Sequence, residues 1–283
     1  MLKSCHYSIH GGEIAALEVG NMETAETSVV FLHGWLDNAA SFITTIEALH
    51  HHNPSLHLCA IDLPGHGLST HKSGSNFYPF HDYIDDVYQV LSNFSANKRV
   101  LVGHSLGALI ASCYSAAFPE QISGLVQIEG FGPLAEPASN SVARLRDGVL
   151  SRQRIRRKPQ RSPASIEEAV ARRAKVNQLE AMQIEPIVRR GLIQENSTWR
   201  WRHDQKLQSD SLYRMHFEHA AGILQAVQCP QYIILGEDGF SYLNTQIEKW
   251  PNFDVHVIKG GHHCHLQYPS RVSDLIFGLV NKI

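Results

Sequence analysis

Gly103-His104-Ser105-Leu106-Gly107 stands between an apolar run, Val100-Leu101-Val102, and a helical pattern from Leu106 to Phe118. This order predicts a strand, a sharp turn and a helix, with a serine at the apex. The turn forces the serine into a strained backbone conformation, and the flanking glycines remove side chains that would collide as strand folds back on helix. The hydroxyl is then exposed above the sheet edge. Glycines bracketing a serine arise by accident in a chain with 20 of them, but here the flanking elements supply the context that gives the motif its chemistry.

The rest of the chain repeats the same rhythm. His6 to Ile9 and Glu13 to Val19 alternate around Gly11-Gly12, which predicts an antiparallel hairpin. Apolar runs follow at Ser28 to Leu32, Leu56 to Ile61, Arg99 to Val102 and Gly124 to Ile128, separated by amphipathic stretches at Ser41 to His50, Asp82 to Phe94 and Leu106 to Phe118. Strand and helix alternating in this way imply an α/β fold with a mostly parallel central sheet and helices on both faces. After Gly132-Pro133 the alternation stops. From 134 to 222 the sequence reads as helical, polar and arginine-rich, without a strand-like run until Tyr232 to Leu235. The expected organisation is therefore a core in two parts, 1–133 and 223–283, around an inserted helical cap, 134–222. Ser241 to Trp250, Phe253 to Ile258 and Val272 to Asn281 complete a helix, a strand and a final helix.

A chain of 283 residues can bury a sizeable core. Its net charge of -2 indicates no global attraction to nucleic acid or to an anionic membrane, so the expected partner is a small molecule and the expected form a monomer or homodimer. Cys5, Cys59, Cys113, Cys229 and Cys264 are odd in number, dispersed and without a C-x-x-C pair, which fits a reducing compartment and argues against a disulfide framework or zinc ribbon. Neither an apolar signal core nor a membrane-length apolar stretch is present, and the expectation is a cytoplasmic protein.

With these positions in hand, the chain resembles the α/β-hydrolase superfamily over nearly its whole length. Besides the serine turn, Phe31-Leu32-His33-Gly34-Trp35 matches the His-Gly loop whose next residue commonly donates an oxyanion-hole N–H. Gly260-Gly261-His262, with Pro269 seven residues past the histidine, matches the late loop that presents the catalytic base. Asp62-Leu63-Pro64-Gly65-His66-Gly67-Leu68-Ser69 is a further family-like string, expected to shape a turn rather than to react. In the cap, Glu168-Ala169-Val170-Ala171-Arg172-Arg173 and Trp199-Arg200-Trp201-Arg202-His203-Asp204 resemble the serine hydrolase-like proteins of the kraken type.

The chemistry follows from the residues themselves. A serine hydroxyl is a poor nucleophile at neutral pH and needs a neighbouring base, a task suited to imidazole. Among 18 histidines, His262 lies in a glycine-led loop after the last expected strand, on the edge where carboxyl ends of parallel strands place ligands. His263 and His265 are not favoured, because the spacing to Pro269 selects His262. The string His262-His263-Cys264-His265 lacks the spacings of zinc sites, and neither a metal nor an organic cofactor is expected. His50-His51-His52 reads as a helix end, where positive charge meets the dipole favourably. The oxyanion of a tetrahedral intermediate needs preorganised donors, and the backbone N–H groups of Trp35 and Leu106 are the natural pair.

A carboxylate must also orient the imidazole. The resemblance implies one three residues past a glycine after the cap, but that position in Gly236-Glu237-Asp238-Gly239 is Gly239. The acid is then displaced to Asp238, or comes instead from Glu129 at the end of the strand before the cap. Glu129 is preferred, with Asp238 the alternative and Glu237 third. The expected activity is hydrolysis of a small carboxylic ester through an acyl-enzyme on Ser105, as in a carboxylesterase. A carbon-carbon bond hydrolase and a non-catalytic hydrolase-fold binding protein are the alternatives. The basic run Arg152, Arg154, Arg156-Arg157-Lys158, Arg161 and Arg172-Arg173 reads either as a solvated face or as an entrance for anionic substrates. Ser165 followed by Glu168 predicts a capped helix over Ile166 to Val176.

Overall fold

The computed structural model describes residues 2–248 and 253–283. Strands β1 (Lys3–Ile9) and β2 (Gly12–Val19) pair antiparallel, with Ile9 opposite Gly12 and Gly11 at φ +88° in the turn, where a side chain would be strained. Then follow β3 (Thr27–Leu32), α1 (Ile43–His52), β4 (His57–Ile61), α2 (Asp82–Leu91), β5 (Lys98–His104), α3 (Leu106–Ala117) and β6 (Gly124–Ile128). After a long excursion the core resumes with β9 (Gln231–Asp238), α8 (Ser241–Ile247), β10 (Asp254–Gly261), α9 (Cys264–Gln267) and α10 (Pro269–Val280). Residues 249 and 250, to which the sequence pattern extends the helix at Ser241, lie outside the described residues.

The eight core strands form one sheet in the order β1-β2-β4-β3-β5-β6-β9-β10. Pairing is parallel from β4 through to β10 and antiparallel at the β1 and β2 edge. Strand periodicity of two sorts the side chains between two cores. Val29, Phe31, Val100 and Val102 meet Ile46, Leu49, Val272 and Ile276 of α1 and α10, whereas Val30, Leu32 and Leu101 meet Val87, Leu91, Ile110 and Tyr114 of α2 and α3. Covering both faces leaves function to the loops at the carboxyl ends of the strands.

The excursion holds α4 (Ser141–Arg157), α5 (Ile166–Asn177), α6 (Ala181–Gly191), β7 (Leu192–Glu195), β8 (Thr198–Trp201) and α7 (Phe217–Ala226). The two short strands correct the expectation of a purely helical segment. They form a separate hairpin turned at Asn196 and Ser197, both at positive φ; β8 alternates in exposure while β7 runs from buried Leu192 to exposed Glu195, and four residues each are too short and polar for an apolar-run signal. At the start of α5, Ser165 Oγ accepts from Glu168 N at 3.1 Å, while Glu168 Oε2 reaches back to Ala164 N rather than Ser165 N. Ala169, Val170 and Ala174 of α5 and Ile184, Ile187 and Val188 of α6 pack with Ala40 after β3 and Leu266 in α9, which seats the segment over the strand ends. Among the described residues, no helix is long and apolar enough to cross a membrane.

Candidate active site

Ser105 occupies φ 50°, ψ -115° between β5 and α3. Such a backbone costs on the order of 1–3 kcal/mol and persists only where its surroundings over-determine it. Here Ser105 N donates to Ile128 O at 2.9 Å, and Ser105 O accepts from Ala108 N at 2.9 Å. A Cβ on Gly107 would lie 1.9 Å from Leu32 O, and one on Gly103 2.4 Å from Ala108 N. Both glycines are therefore required by close approach of the backbone. Leu106 is the first residue of α3, so its N–H is one of the amides a helix leaves unpaired. Trp35 lies in the loop after β3, its indole Nε1 donating to Leu207 O at 2.9 Å, and its backbone N–H likewise has no partner among the described residues.

Glu129 directly follows β6 at φ 51° and is 2% exposed. Its Oε1 accepts from Gly236 N at 2.7 Å; its Oε2 accepts from Phe240 N at 3.2 Å and faces His262 Nδ1 at 3.1 Å. Glycine at 239 makes room for this carboxylate, since a Cβ there would sit 2.2 Å from Glu129 Oε1. The His262 ring packs on Phe240 at 4.1 Å between centroids. Asp238, the alternative acid, is exposed and paired through its backbone register to Gly261, and Glu237 is exposed as well. The structure brings Glu129 to His262, whereas the exposed Asp238 side chain makes no hydrogen bond or ion pair with His262. Ser105 and His262 line one cleft without a direct hydrogen bond between them, a spacing common before substrate binds.

Behind this pair lies a buried network that the sequence motifs did not reveal. His104 Nε2 donates to the backbone O of His262 at 2.8 Å, which fixes the loop carrying that ring. His263 Nε2 lies 3.5 Å from Asp37 Oδ2, and Arg173 of α5 meets Asp37 Oδ1 at 2.6 Å and Leu36 O at 3.0 Å. Burial works to raise the Asp37 carboxyl, but the His263 hydrogen bond and the Arg173 charge outweigh it and hold it well below the carboxylate range. Burial pushes His104 and His265 well below the usual imidazole range, and neighbouring histidines add to the effect. Asp37, His104 and His263 each present a ligand atom within 4.8 Å of the others. Arg173 already neutralises that carboxylate, and a metal cation there would face its fixed charge, so the group is better suited to an ion-pair network. The usable signal was an aspartate three residues past Gly34, in the same loop as Trp35.

The cleft over Ser105 has a volume of about 630 Å³ and is walled by Trp35, Leu36, Trp201 and Phe240. Lys158, Arg161, Arg172 and Arg173 reach it from the inserted segment. Other members of the basic run lie elsewhere: Arg152 and Arg156 sit over the Phe77 ring at 4.5 and 5.2 Å, and Arg154 pairs with Asp210.

Comparison with known proteins agrees with this architecture. A family model described as alpha/beta hydrolase fold matches residues 27–269. A serine hydrolase-like protein of Dictyostelium discoideum is 30% identical over 295 residues, spanning 94% of this chain and 79% of its own. One from Danio rerio is 24% identical, spanning 88% and 79%. Among solved structures, the hypothetical protein PA1622 from Pseudomonas aeruginosa PAO1 superposes with a TM-score of 0.87 at 29% identity, over 98% of this chain and 99% of its own. The thioesterase domain from the curacin biosynthetic pathway reaches 0.86 at 19% identity over 98% and 99%, a likeness of fold alone. The chain belongs to the α/β-hydrolase fold family and is related to its serine hydrolase-like members.

Proposed function

We propose that the chain hydrolyses a small carboxylic ester through an acyl-enzyme on Ser105. The observation that carries this reading is the Glu129 carboxylate, buried, held by two backbone amides and facing His262 Nδ1 in the cleft that Ser105 lines. A carboxylate there holds a proton on Nδ1 and leaves Nε2 as the acceptor. As Ser105 Oγ bonds the ester carbonyl carbon, its proton passes to His262 Nε2, and Glu129 stabilises the imidazolium that forms. The carbonyl electron pair moves to oxygen, where the N–H groups of Trp35 and Leu106 receive it. The intermediate collapses by breaking the bond to the alcohol, whose oxygen takes the proton from His262. Water then repeats the sequence on the acyl-serine, releasing the acid and restoring the hydroxyl.

The experiment is labelling with a fluorophosphonate, mapping of the labelled residue, and product analysis on a series of neutral aryl esters. Labelling at Ser105, lost in Ser105→Ala together with turnover, is the expected result; removal of such a nucleophile costs on the order of a million-fold. Labelling at another serine overturns the assignment. Turnover of a vinylogous diketone with none of esters turns the reading toward a carbon-carbon bond hydrolase.

A further inference from the structure

The cleft carries charge that the reaction above does not use. Of the four basic side chains that reach it, Arg173 is taken by Asp37, the one carboxylate among the lining residues. Among the described residues the Lys158 ammonium donates only to the neutral Gln208 Oε1 and binds no acid. Arg161 and Arg172 are exposed and have neither an ion pair nor a hydrogen bond among the described residues. Elsewhere in the segment several arginines are paired: Arg144 with Glu136, Arg189 with Glu185, Arg190 with Asp62 and Arg200 with Glu195. The three cations come from separate places. Lys158 caps the C-terminus of α4, Arg161 lies in the following loop, and Arg172 is on α5. A solvated helix face does not require such convergence on one cleft, and the chain's net charge of -2 supplies no general positive field.

We infer that the cleft takes a substrate bearing an anionic oxyacid group, a carboxylate or a phosphate, held at its mouth by Lys158, Arg161 and Arg172. The inference rests on the hydrolytic reading of Ser105. A guanidinium offers planar paired donors that match either oxyanion, and an ammonium adds a point charge. The anionic group takes no part in bond making; it orients the ester toward Ser105, and a cleft lined by one sign of charge raises its local concentration.

Two matched pairs of substrates test this. The carboxylate pair is 4-nitrophenyl hemiglutarate against its methyl ester; the phosphate pair is the acetyl thioester of phosphopantetheine against that of pantetheine. The anionic member of one pair should show a kcat/KM roughly tenfold or more above its neutral partner, with the ratio shrinking as salt rises. In Arg161→Glu/Arg172→Glu that ratio should collapse, at an unchanged melting temperature. The responding pair identifies the oxyanion. Equal kcat/KM within both pairs, or a variant that leaves the ratios intact, overturns the inference. Calorimetric titration of Ser105→Ala with glutarate and with phosphopantetheine separates the two readings. Binding that the arginine reversal removes, in a protein that turns over no ester, keeps the anion site and discards the ester reaction. Turnover of neutral esters without preference or binding does the reverse, and absence of both turnover and binding overturns the anion site as well.

Discussion

At residue 239 the absence of a side chain decides where the acid of the site comes from. A Cβ there would collide with Glu129 Oε1, so glycine at this position and glutamate at the end of β6 are one arrangement. Gly239→Ala should therefore displace the carboxylate and lower turnover severely, although residue 239 contributes no functional group. Glu129→Gln should cut kcat by roughly ten-thousand-fold, the loss associated with a wrongly held imidazole, while Asp238→Asn stays near wild type. Steady-state kinetics on one neutral ester checks all three, and a deep loss in Asp238→Asn would reverse the choice of acid. The turn at Ser105 and the loop carrying His262 were legible because each is a local motif whose glycines report backbone geometry. The Glu129 pairing was only half legible, since it joins residues 133 apart and depends on strand order, which the local pattern does not encode. The pairing of Asp37 with His263 was not read for the same reason, although Asp37 stands in the same loop as Trp35.

The elements themselves were read from apolar runs, and the strands buried on both faces gave the clearest signal. The segment over the site was harder, because its stability comes from polar contacts to the core as well as from its own apolar stripe. Asp62 illustrates this. Its side chain, fully buried, accepts from Ala39 N and Leu68 N and takes Arg190 of α6 through Nε at 3.0 Å to both oxygens. The family-like string thus shapes its turn and also anchors a helix of the inserted segment. Removing one partner of a buried pair leaves the other charge uncompensated, at a cost of about 3–5 kcal/mol. Asp62→Ala should lower the melting temperature by roughly 10 °C, taking ~2–4 °C per kcal/mol for a chain near this size. Glu195→Ala, which breaks the exposed pair with Arg200, should cost less than about 1 kcal/mol. Equal melting temperatures in the two variants would remove the anchoring role from Asp62.

For the whole molecule, the histidines set a pH limit on stability. His33, His66, His104 and His265 are at most 1% exposed, and burial lowers the pKa of each. Their contacts fit the neutral ring. His33 Nε2 accepts from Leu63 N at 2.9 Å, so a second proton would lose that bond. His66 Nε2, His104 Nδ1 and His265 Nδ1 have no partner among the described residues, and a proton there would find no acceptor. A folded pKa depressed below the unfolded value of about 6.5 contributes stability that is present above that value and is lost as pH falls through it. At pH 5.5 each ring that stays neutral costs about 1.4 kcal/mol, which is a sizeable part of the roughly 5–15 kcal/mol that holds a domain folded. His203, lowered to about 4 chiefly by burial, adds to the loss. Asp86 works in the opposite sense: burial raises its pKa to about 6, so its protonation favours the fold as pH falls, but one carboxyl offsets less than about 1 kcal/mol over this interval. Denaturant titrations at pH 7.5 and 5.5 should therefore show a clear fall in stability, with unfolding at pH 5.5 taking up protons. His66→Leu removes a titrating ring whose Nε2 has no partner, and should reduce that uptake by about one proton. A stability that stays level between the two pH values would mean that these rings gain partners on protonation, against the buried contacts that now hold them neutral.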